Sequence, residues 1–317
     1  MKVAVTGGSG FIGSHVVDKL VAAGHHVIII DSGRPPGRTD ATYRDADIRD
    51  LSALVRATSG CDVIFHLAGV SNVNDAMADP VTCMEVNVVG TARICEAARR
   101  NQIGRTVLAS TVWVYAAAAG QGIATEDTPL FTSGTEHVYT SSKLAAELVV
   151  TSFGELYGLH YTILRYGIPF GPRMRDELVI PRFVRRALQQ EKLTIYGDGL
   201  QFRNYVYVED LAEAHLAVLG DGAVDQIINL EGREPVSIRR AAEVIRELIN
   251  PLLPIEFVPA RPGDYAGREV SAGKAKQLLA WEARTSFEDG MRRYLDWWLM
   301  KAESDEAESD EAQASQG

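Results

Sequence analysis

The sequence predicts an α/β fold: a doubly wound parallel sheet followed by a smaller mixed α/β lobe on the C-terminal side. Three observations carry this. An apolar run opens directly into glycines at the very start of the chain, Val3-Ala4-Val5-Thr6-Gly7-Gly8-Ser9-Gly10-Phe11-Ile12-Gly13. Strand-like and helix-like segments then alternate about every thirty residues as far as Arg165, which is the rhythm of βαβ units. Beyond Tyr166 the rhythm breaks into short mixed elements, as suits a lobe that closes over a ligand.

Each element has its own signal. Val3 to Thr6 reads as a buried strand and the helix after it is apolar-periodic through Val16, Val17, Leu20 and Val21. The glycines at 7, 10 and 13 permit a tight turn, a close backbone approach to a pyrophosphate, and close packing of helix on strand. The phosphates of a dinucleotide then meet the positive end of the helix. His25 to Asp31 is the second strand, and Asp31 follows the last glycine by about the twenty residues expected of a ribose-binding carboxylate. That carboxylate repels a 2′-phosphate and so favours NAD over NADP. Arg34 is the one dissenting residue, and a free surface arginine is its blander reading.

Thr42-Tyr43-Arg44 is a short strand leading to Asp47-Ile48-Arg49-Asp50. A carboxylate there suits an adenine amino group, or else an N-cap for the helix from Leu51 to Thr58. Asp62 to Gly69 is a buried strand, with small residues at 68 and 69 on which a cofactor can lie. His66 at its end reads as a core histidine. Met84 to Arg100 is a helix with Asn87 and Thr91 as polar interruptions. Arg105 to Ser110 is a strand, Tyr139 to Tyr157 a helix and Tyr161 to Arg165 a strand. In the second half, Gly167 to Arg173 reads as a loop, and Ile180–Gln190, Glu209–Leu219, Ile238–Asn250, Lys274–Leu279 and Phe287–Leu299 as helices. Gln201–Val208, Gln226–Leu230 and Ile255–Val258 read as strands. The tail from Ala302 nearly repeats Glu-Ser-Asp-Glu-Ala and reads as disordered or a frayed helix.

Composition narrows the function. A net charge of −10 over 317 residues argues against a general nucleic-acid or anionic-membrane surface. Cys61, Cys83 and Cys95 show neither metal spacing nor a disulfide framework, so they read as reduced core thiols of a cytoplasmic protein. No apolar run is long enough for a membrane span, and a strand at the N-terminus leaves no room for a signal peptide.

Tyr139 and Lys143 are four apart on a helix and share one face. A phenol of pKa about 10 is a poor base, and an adjacent ammonium is expected to lower it. Such a pair is usually a solvated helix face. Thr111 adds weight, because a hydroxyl just past the C-terminal end of a parallel strand lies at the cofactor crevice. Its bland reading is a β-branched residue finishing a strand. Three such positions in order after a dinucleotide turn point to a site where an alcohol is oxidised, with no metal needed.

Thr6 to Gly13, Asp31, Asp47-Ile48-Arg49, His66 to Gly69, Asn87-Val88-Val89-Gly90-Thr91, Thr111, Tyr139-x-x-x-Lys143 and Gly171-Pro172-Arg173 together resemble the extended short-chain dehydrogenase/reductase family. The similarity is greatest to its NAD-dependent sugar-nucleotide epimerases and dehydratases, the UDP-glucose 4-epimerase-like branch, and spans Met1 to about Trp298. It implies a Rossmann domain over 1–166 plus about 204–230, a substrate lobe over 167–203 and 231–300, and an acidic tail over 301–317. Cofactor contacts implied are Gly7, Gly10, Phe11, Ile12, Gly13, Asp31, Asp47, Ile48, Leu67, Ala68, Gly69, Asn87, Tyr139 and Lys143. Substrate contacts implied are Thr111, Trp113, Arg203, Arg261 and Asp264, the arginines clamping a diphosphate. Thr111, Tyr139 and Lys143 are the implied catalytic residues.

Departures from the family pattern refine the reaction. Ala116 replaces a common Gly and Ile168 a common Asn. Related dehydratases carry an Asp-Glu pair after the catalytic Thr, and related decarboxylases a Glu, where this chain has Val112 and Trp113. The expectation is therefore a 4-epimerase of a nucleotide sugar, UDP-linked first, working as a homodimer through the helices near 84–100 and 139–157. Leu144, Leu148 and Val149 give the second of these an apolar side. Its rivals are another oxidoreductase, decarboxylase or dehydratase of the same fold, and a non-catalytic dinucleotide-binding protein.

Overall fold

The structure, a computed structural model, describes all residues except 34, 36, 119–121, 131–136, 261–266 and 315–317, with the backbone alone described at 117 and 304–314. A seven-stranded parallel sheet forms its centre. The strands are β1 (Lys2–Thr6), β2 (His26–Asp31), β3 (Thr42–Asp45), β4 (Val63–His66), β5 (Arg105–Thr111), β6 (His160–Tyr166) and β10 (Gln226–Leu230), in the order β10-β6-β5-β4-β1-β2-β3. The order reverses at β1 and β4, which makes the crevice between them the switch point of a Rossmann-like sheet.

Both faces of this sheet are covered, so its strands are apolar on both sides. Val3, Val5, Val27, Ile29 and Phe65 pack against α1 (Phe11–Ala22) and α8 (Val208–Ala217). Ala4, Ile28, Ile30, Ile64 and Leu108 pack against α2 (Leu51–Ala57), α5 (Gly90–Arg100) and α6 (Val138–Tyr157). Two short helices, α3 (Val73–Ala78) and α4 (Pro80–Met84), and a π-helical turn at Glu85–Val89 lead into α5. The helix expected over 84–100 thus begins earlier and widens at Asn87. Among the described residues no helix is long and apolar enough to cross a membrane.

The second half builds two small sheets. One has the order β11-β9-β7, from β7 (Ile168–Phe170), β9 (Phe202–Tyr207) and β11 (Pro235–Ser237). The other pairs β8 (Leu193–Tyr196) with β12 (Ile255–Val258). Their shared core includes Phe170, Ile180, Phe183, Tyr205, Val244 and Tyr294, with helices α7 (Val179–Leu188) and α9 (Ile238–Ile249) around it. Helix α10 (Gly273–Leu279) returns to β10, and α11 (Phe287–Ala314) closes the chain.

One expectation is corrected here. Residues 168–170 form a strand, because β9 offers Ile168 and its neighbours a parallel partner. Among the described residues β9 pairs with β7 and β11, and the chain rejoins the helices of the large sheet at α8. The acidic tail continues the last helix to residue 314. Ala and Glu are strong helix formers, so the backbone continues helical without a core to bury.

Candidate active site

The site assembles at the carboxyl ends of β1, β4 and β5. The turn after β1 is pinned by a Gly7 amide donating to the Ile30 carbonyl (2.9 Å) and a Gly10 amide donating to the Gly7 carbonyl (3.0 Å). Gly7 has φ +70°, and a Cβ there would stand 2.7 Å from the Ala68 nitrogen. A Cβ on Gly13 would run into the Gly7 carbonyl. The turn and the segment after β4 are therefore in backbone contact, with no room for side chains. Phe11 and Ile12 open α1 and pack partly into the two adjacent cores. The N-cap of α1 is Gly10, which has no side chain to engage the first amides of the helix. Ser9 Oγ is buried without a partner. This cradle fits an anionic diphosphate.

Asp31 closes the cradle at the end of β2. Its carboxylate accepts from the Ser9 amide (3.1 Å) and the Gly33 amide (3.3 Å). Arg34 lies outside the described residues. Asp47 is engaged by Arg49, bidentately through Nε and NH2, which holds its carboxyl below the usual range. Asp50 is the residue that caps α2, accepting from the Ala53 amide at 3.0 Å. Ile48 is buried against Gly90.

At the end of β4 a polar chain crosses the crevice floor. The Thr91 hydroxyl donates to the Asn87 carbonyl (2.6 Å) and so is free to accept from His66 Nε2 (3.1 Å). His66 Nδ1 then accepts from the Thr6 hydroxyl (2.8 Å), which in turn accepts the Ala68 amide (3.3 Å). Burial pulls His66 down to about 3, so the ring is neutral, in keeping with the structural role expected of it. Leu67 packs into the core under α1. Asn87 is 2 % exposed, and its amide spans Val70 (2.8 and 2.9 Å) and Ser142 (2.9 Å). It holds the Gly69 turn from beneath.

Thr111 ends β5 and accepts the Trp113 amide at 3.2 Å, starting a 3₁₀ turn over Val112–Ala117. Its hydroxyl lies beside the Tyr139 phenol. Lys143, one turn further along α6, donates to the Ala109 carbonyl at 3.1 Å. The structure thus brings Thr111, Tyr139 and Lys143 together. Their charges differ from expectation. Burial dominates and pushes the Tyr139 phenol up to about 12, with the neighbouring Thr111 hydroxyl opposing. Burial also pulls Lys143 down to about 8. The ammonium is spent on Ala109, so the lowered phenol expected from the sequence is not the state of this protein by itself.

The indole of Trp113 stands edge-on to Tyr139, ring centres 6.5 Å apart. Arg203 lies on β9 and donates to the Phe202 carbonyl at 2.7 Å. Arg261 and Asp264 lie outside the described residues. Ile168 is packed into the core of the small lobe.

Two participants were missed. Ser142 accepts from Asn87 and donates to the Tyr139 carbonyl at 2.7 Å, tying α6 to the Gly69 turn. Glu147 forms a buried ion pair with Arg165 (2.6 Å). Its position four after Lys143 was the available signal. A cavity of about 650 Å³ lies elsewhere, between α1, Pro172-Arg173 and α11, and none of Thr111, Tyr139 and Lys143 lines it.

Residues 3–230 match the model of the NAD dependent epimerase/dehydratase family. The chain is 32% identical to a UDP-N-acetyl-alpha-D-glucosaminuronate decarboxylase of Bacillus cytotoxicus, over 93% of this chain and 96% of the relative. It resembles the UDP-glucose 4-epimerase of Thermotoga maritima solved with UDP-glucose (TM-score 0.88, 28% identity, 95% of this chain and 100% of that one). It also resembles DesIV, a dTDP-glucose 4,6-dehydratase of Streptomyces venezuelae solved with NAD (TM-score 0.86, 29% identity, 95% and 97%). These three relatives catalyse different reactions on one architecture.

Proposed function

Since the chain belongs to the NAD-dependent epimerase/dehydratase family and its cofactor is NAD, we propose that it is a 4-epimerase of a nucleotide-linked sugar, with UDP-sugars the first substrates to test. One observation carries this reading. Tyr139 and Thr111 present two neighbouring hydroxyls at the crevice, with Lys143 one turn below, while the residues after Thr111 are Val112 and Trp113. That set serves reversible oxidation of an alcohol, and it lacks the flanking acid and base that expulsion of water from the sugar needs.

Gly7, Gly10 and Gly13 with the start of α1 would hold the cofactor diphosphate, and Asp31 the adenosine ribose. When bound, NAD supplies a reversible hydride acceptor that is positively charged in its oxidised form. Tyr139 takes the proton of the C4 hydroxyl and later returns it, while Thr111 orients that hydroxyl. A phenol at about 12 needs neighbouring positive charge to act near neutrality, and Lys143 as ammonium is the chain's own source. Inversion requires the 4-keto sugar to show its other face. It must turn while its diphosphate stays held, for which Arg203, Arg261 and Asp264 are the proposed anchors.

A second copy of the chain is the proposed partner. Val81, Leu148 and Leu156 are 76%, 61% and 72% exposed along α4 and α6, an apolar side suited to helix packing. Leu144 does not join it, being turned inward toward Val112 and Tyr115.

The decisive experiment incubates the purified protein with UDP-, GDP- and dTDP-hexoses deuterated at C4. Retention of deuterium in the epimerised sugar without net NADH is expected. Stoichiometric NADH or CO₂ release would sink the reading.

A further inference from the structure

Three consecutive residues of β5 grip three successive turns of α6. The Thr111 hydroxyl lies beside the Tyr139 phenol, the Ala109 carbonyl accepts from Lys143 at 3.1 Å, and the Ser110 hydroxyl donates to Glu147 Oε1 at 2.5 Å. Residues 139, 143 and 147 are spaced to lie on one helix face. Arg165, opposite Ser110 in the β5–β6 register, clamps the same carboxylate with Nε to Oε1 at 3.0 Å and NH2 to Oε2 at 2.6 Å. Both side chains are 4% exposed.

The clamp is itself held. Arg165 NH1 donates to the Tyr115 hydroxyl (2.8 Å) and the guanidinium lies 5.0 Å over that ring. The Tyr115 hydroxyl donates to Asn229 Oδ1 (2.9 Å) on β10. A buried ion pair is a poor source of stability compared with apolar packing, because desolvation offsets its attraction. Its geometry here serves location. The three bonds of the Glu147 carboxylate join the helix carrying Tyr139 and Lys143 to the strands beneath it.

We propose that Glu147 is a positioning residue: fixed by Ser110 and Arg165, it sets the third turn of α6 on β5 and with it the placement of Tyr139 against Thr111 and of Lys143 against Ala109. This rests on the reading of those three residues as the reacting groups. The carboxylate also favours the charged form of Lys143. The ionisable groups facing the two are Arg165, with Tyr115 behind it, on the Glu147 side, and Cys83, His66 and Tyr139 around Lys143.

The test compares wild type, Glu147→Gln, Ser110→Ala and the paired Glu147→Gln/Arg165→Met, all with NAD bound. Lysine ¹³Cε and tyrosine ¹³Cζ resonances are followed by NMR against pH, with Tyr139 assigned by its loss in Tyr139→Phe. In Glu147→Gln the Lys143 midpoint should fall by about one pH unit, a tenfold change in its charge ratio. The kcat should fall about 10- to 100-fold with KM within about twofold, as for a displaced reacting group. Ser110→Ala keeps the charge pair, so it should lower kcat without moving the Lys143 midpoint. If Glu147→Gln does not fold, the paired variant, which leaves no lone buried charge, decides: lower kcat with a shifted Tyr139 resonance is expected. A folded variant with wild-type kcat and resonances overturns the proposal. Wild-type turnover in Tyr139→Phe overturns the catalytic reading beneath it.

Discussion

Two buried polar clusters stand at the carboxyl edge of the same sheet and are built in opposite ways. Around Glu147, Arg165 and Ser110 supply three hydrogen bonds to one carboxylate. Just past β10, Glu231 is 3% exposed and, among the described residues, neither of its oxygens makes a well-formed hydrogen bond. Asn204 and the Gly232 amide are its nearest polar neighbours, and Asn204 Oδ1 is itself unpaired. A Cβ on Gly167 would collide with this carboxyl, so the glycine is what makes room for it. Burial pushes Glu231 up to about 8. The paired cluster lies under the reacting groups. The unpaired one lies where β6 passes into β7 and β10 into β11, the links between the large sheet and the small one. Rigidity is concentrated beneath the proposed reacting groups, and electrostatic cost is tolerated where the two sheets join.

The largest expected effect tests the rigid side. Tyr139→Phe removes the proton acceptor but keeps the ring against Trp113, and kcat should fall ~10²- to 10⁴-fold in a steady-state assay. Wild-type rates would remove the reason for calling that side a reaction centre. Next, Glu147→Gln leaves Arg165 without its counter-charge in a buried position, at a cost of about 3–5 kcal/mol in denaturant melts. A loss under 1 kcal/mol would mean that the pair is not tightly held.

Glu231→Gln should act in the opposite sense and more weakly. An amide carries no charge to desolvate and gives Asn204 Oδ1 a donor, so at pH 8 the variant should gain on the order of 2 kcal/mol. The sign follows from linkage. Folded Glu231 holds a proton that the unfolded chain releases, so wild-type stability falls as pH rises from about 4.5 to about 8. His66 and His215 run the other way. Held neutral by burial at about 3 and about 4, they cost stability as pH drops below about 6.5, where the unfolded chain takes up protons. Thermal melts across pH should show Glu231→Gln removing the fall in stability between about pH 4.5 and 8 while leaving the histidine-driven loss at acid pH. An unchanged fall over that window would mean that the junction carries no such cost.

How much of this was legible in the sequence depended on distance along the chain. The glycine turn, Asp31 and the Tyr139–Lys143 pair are patterns within one element or one βαβ unit, so spacing exposes them. Helices α1, α6 and α9 were readable for the same reason. β7, β8 and β11 are three or four residues long, too short for a period to show, and Pro169 inside β7 speaks against a strand. Glu147 and Arg165 are 18 residues apart, and Tyr115 and Asn229 are 114 apart. Their partnership is decided by sheet register, which no local pattern encodes. The state of Tyr139 differs from the expectation because burial depends on residues distant in sequence, such as Trp113 and Cys83, whereas the spacing to Lys143 shows only that a charge is near.

The hydroxyl-and-imidazole chain across the crevice floor has a direction. Ala68 gives its proton to Thr6, Thr6 to His66, His66 to Thr91 and Thr91 to the Asn87 carbonyl, all one way. The side chain of that same Asn87 holds Val70. One widened helical turn therefore grasps the loop after β4 at both ends, once through a relay and once directly. Anyone redesigning the dinucleotide pocket inherits this polarity: swapping either threonine for valine would not merely delete a contact but leave the next donor along the line with nowhere to point.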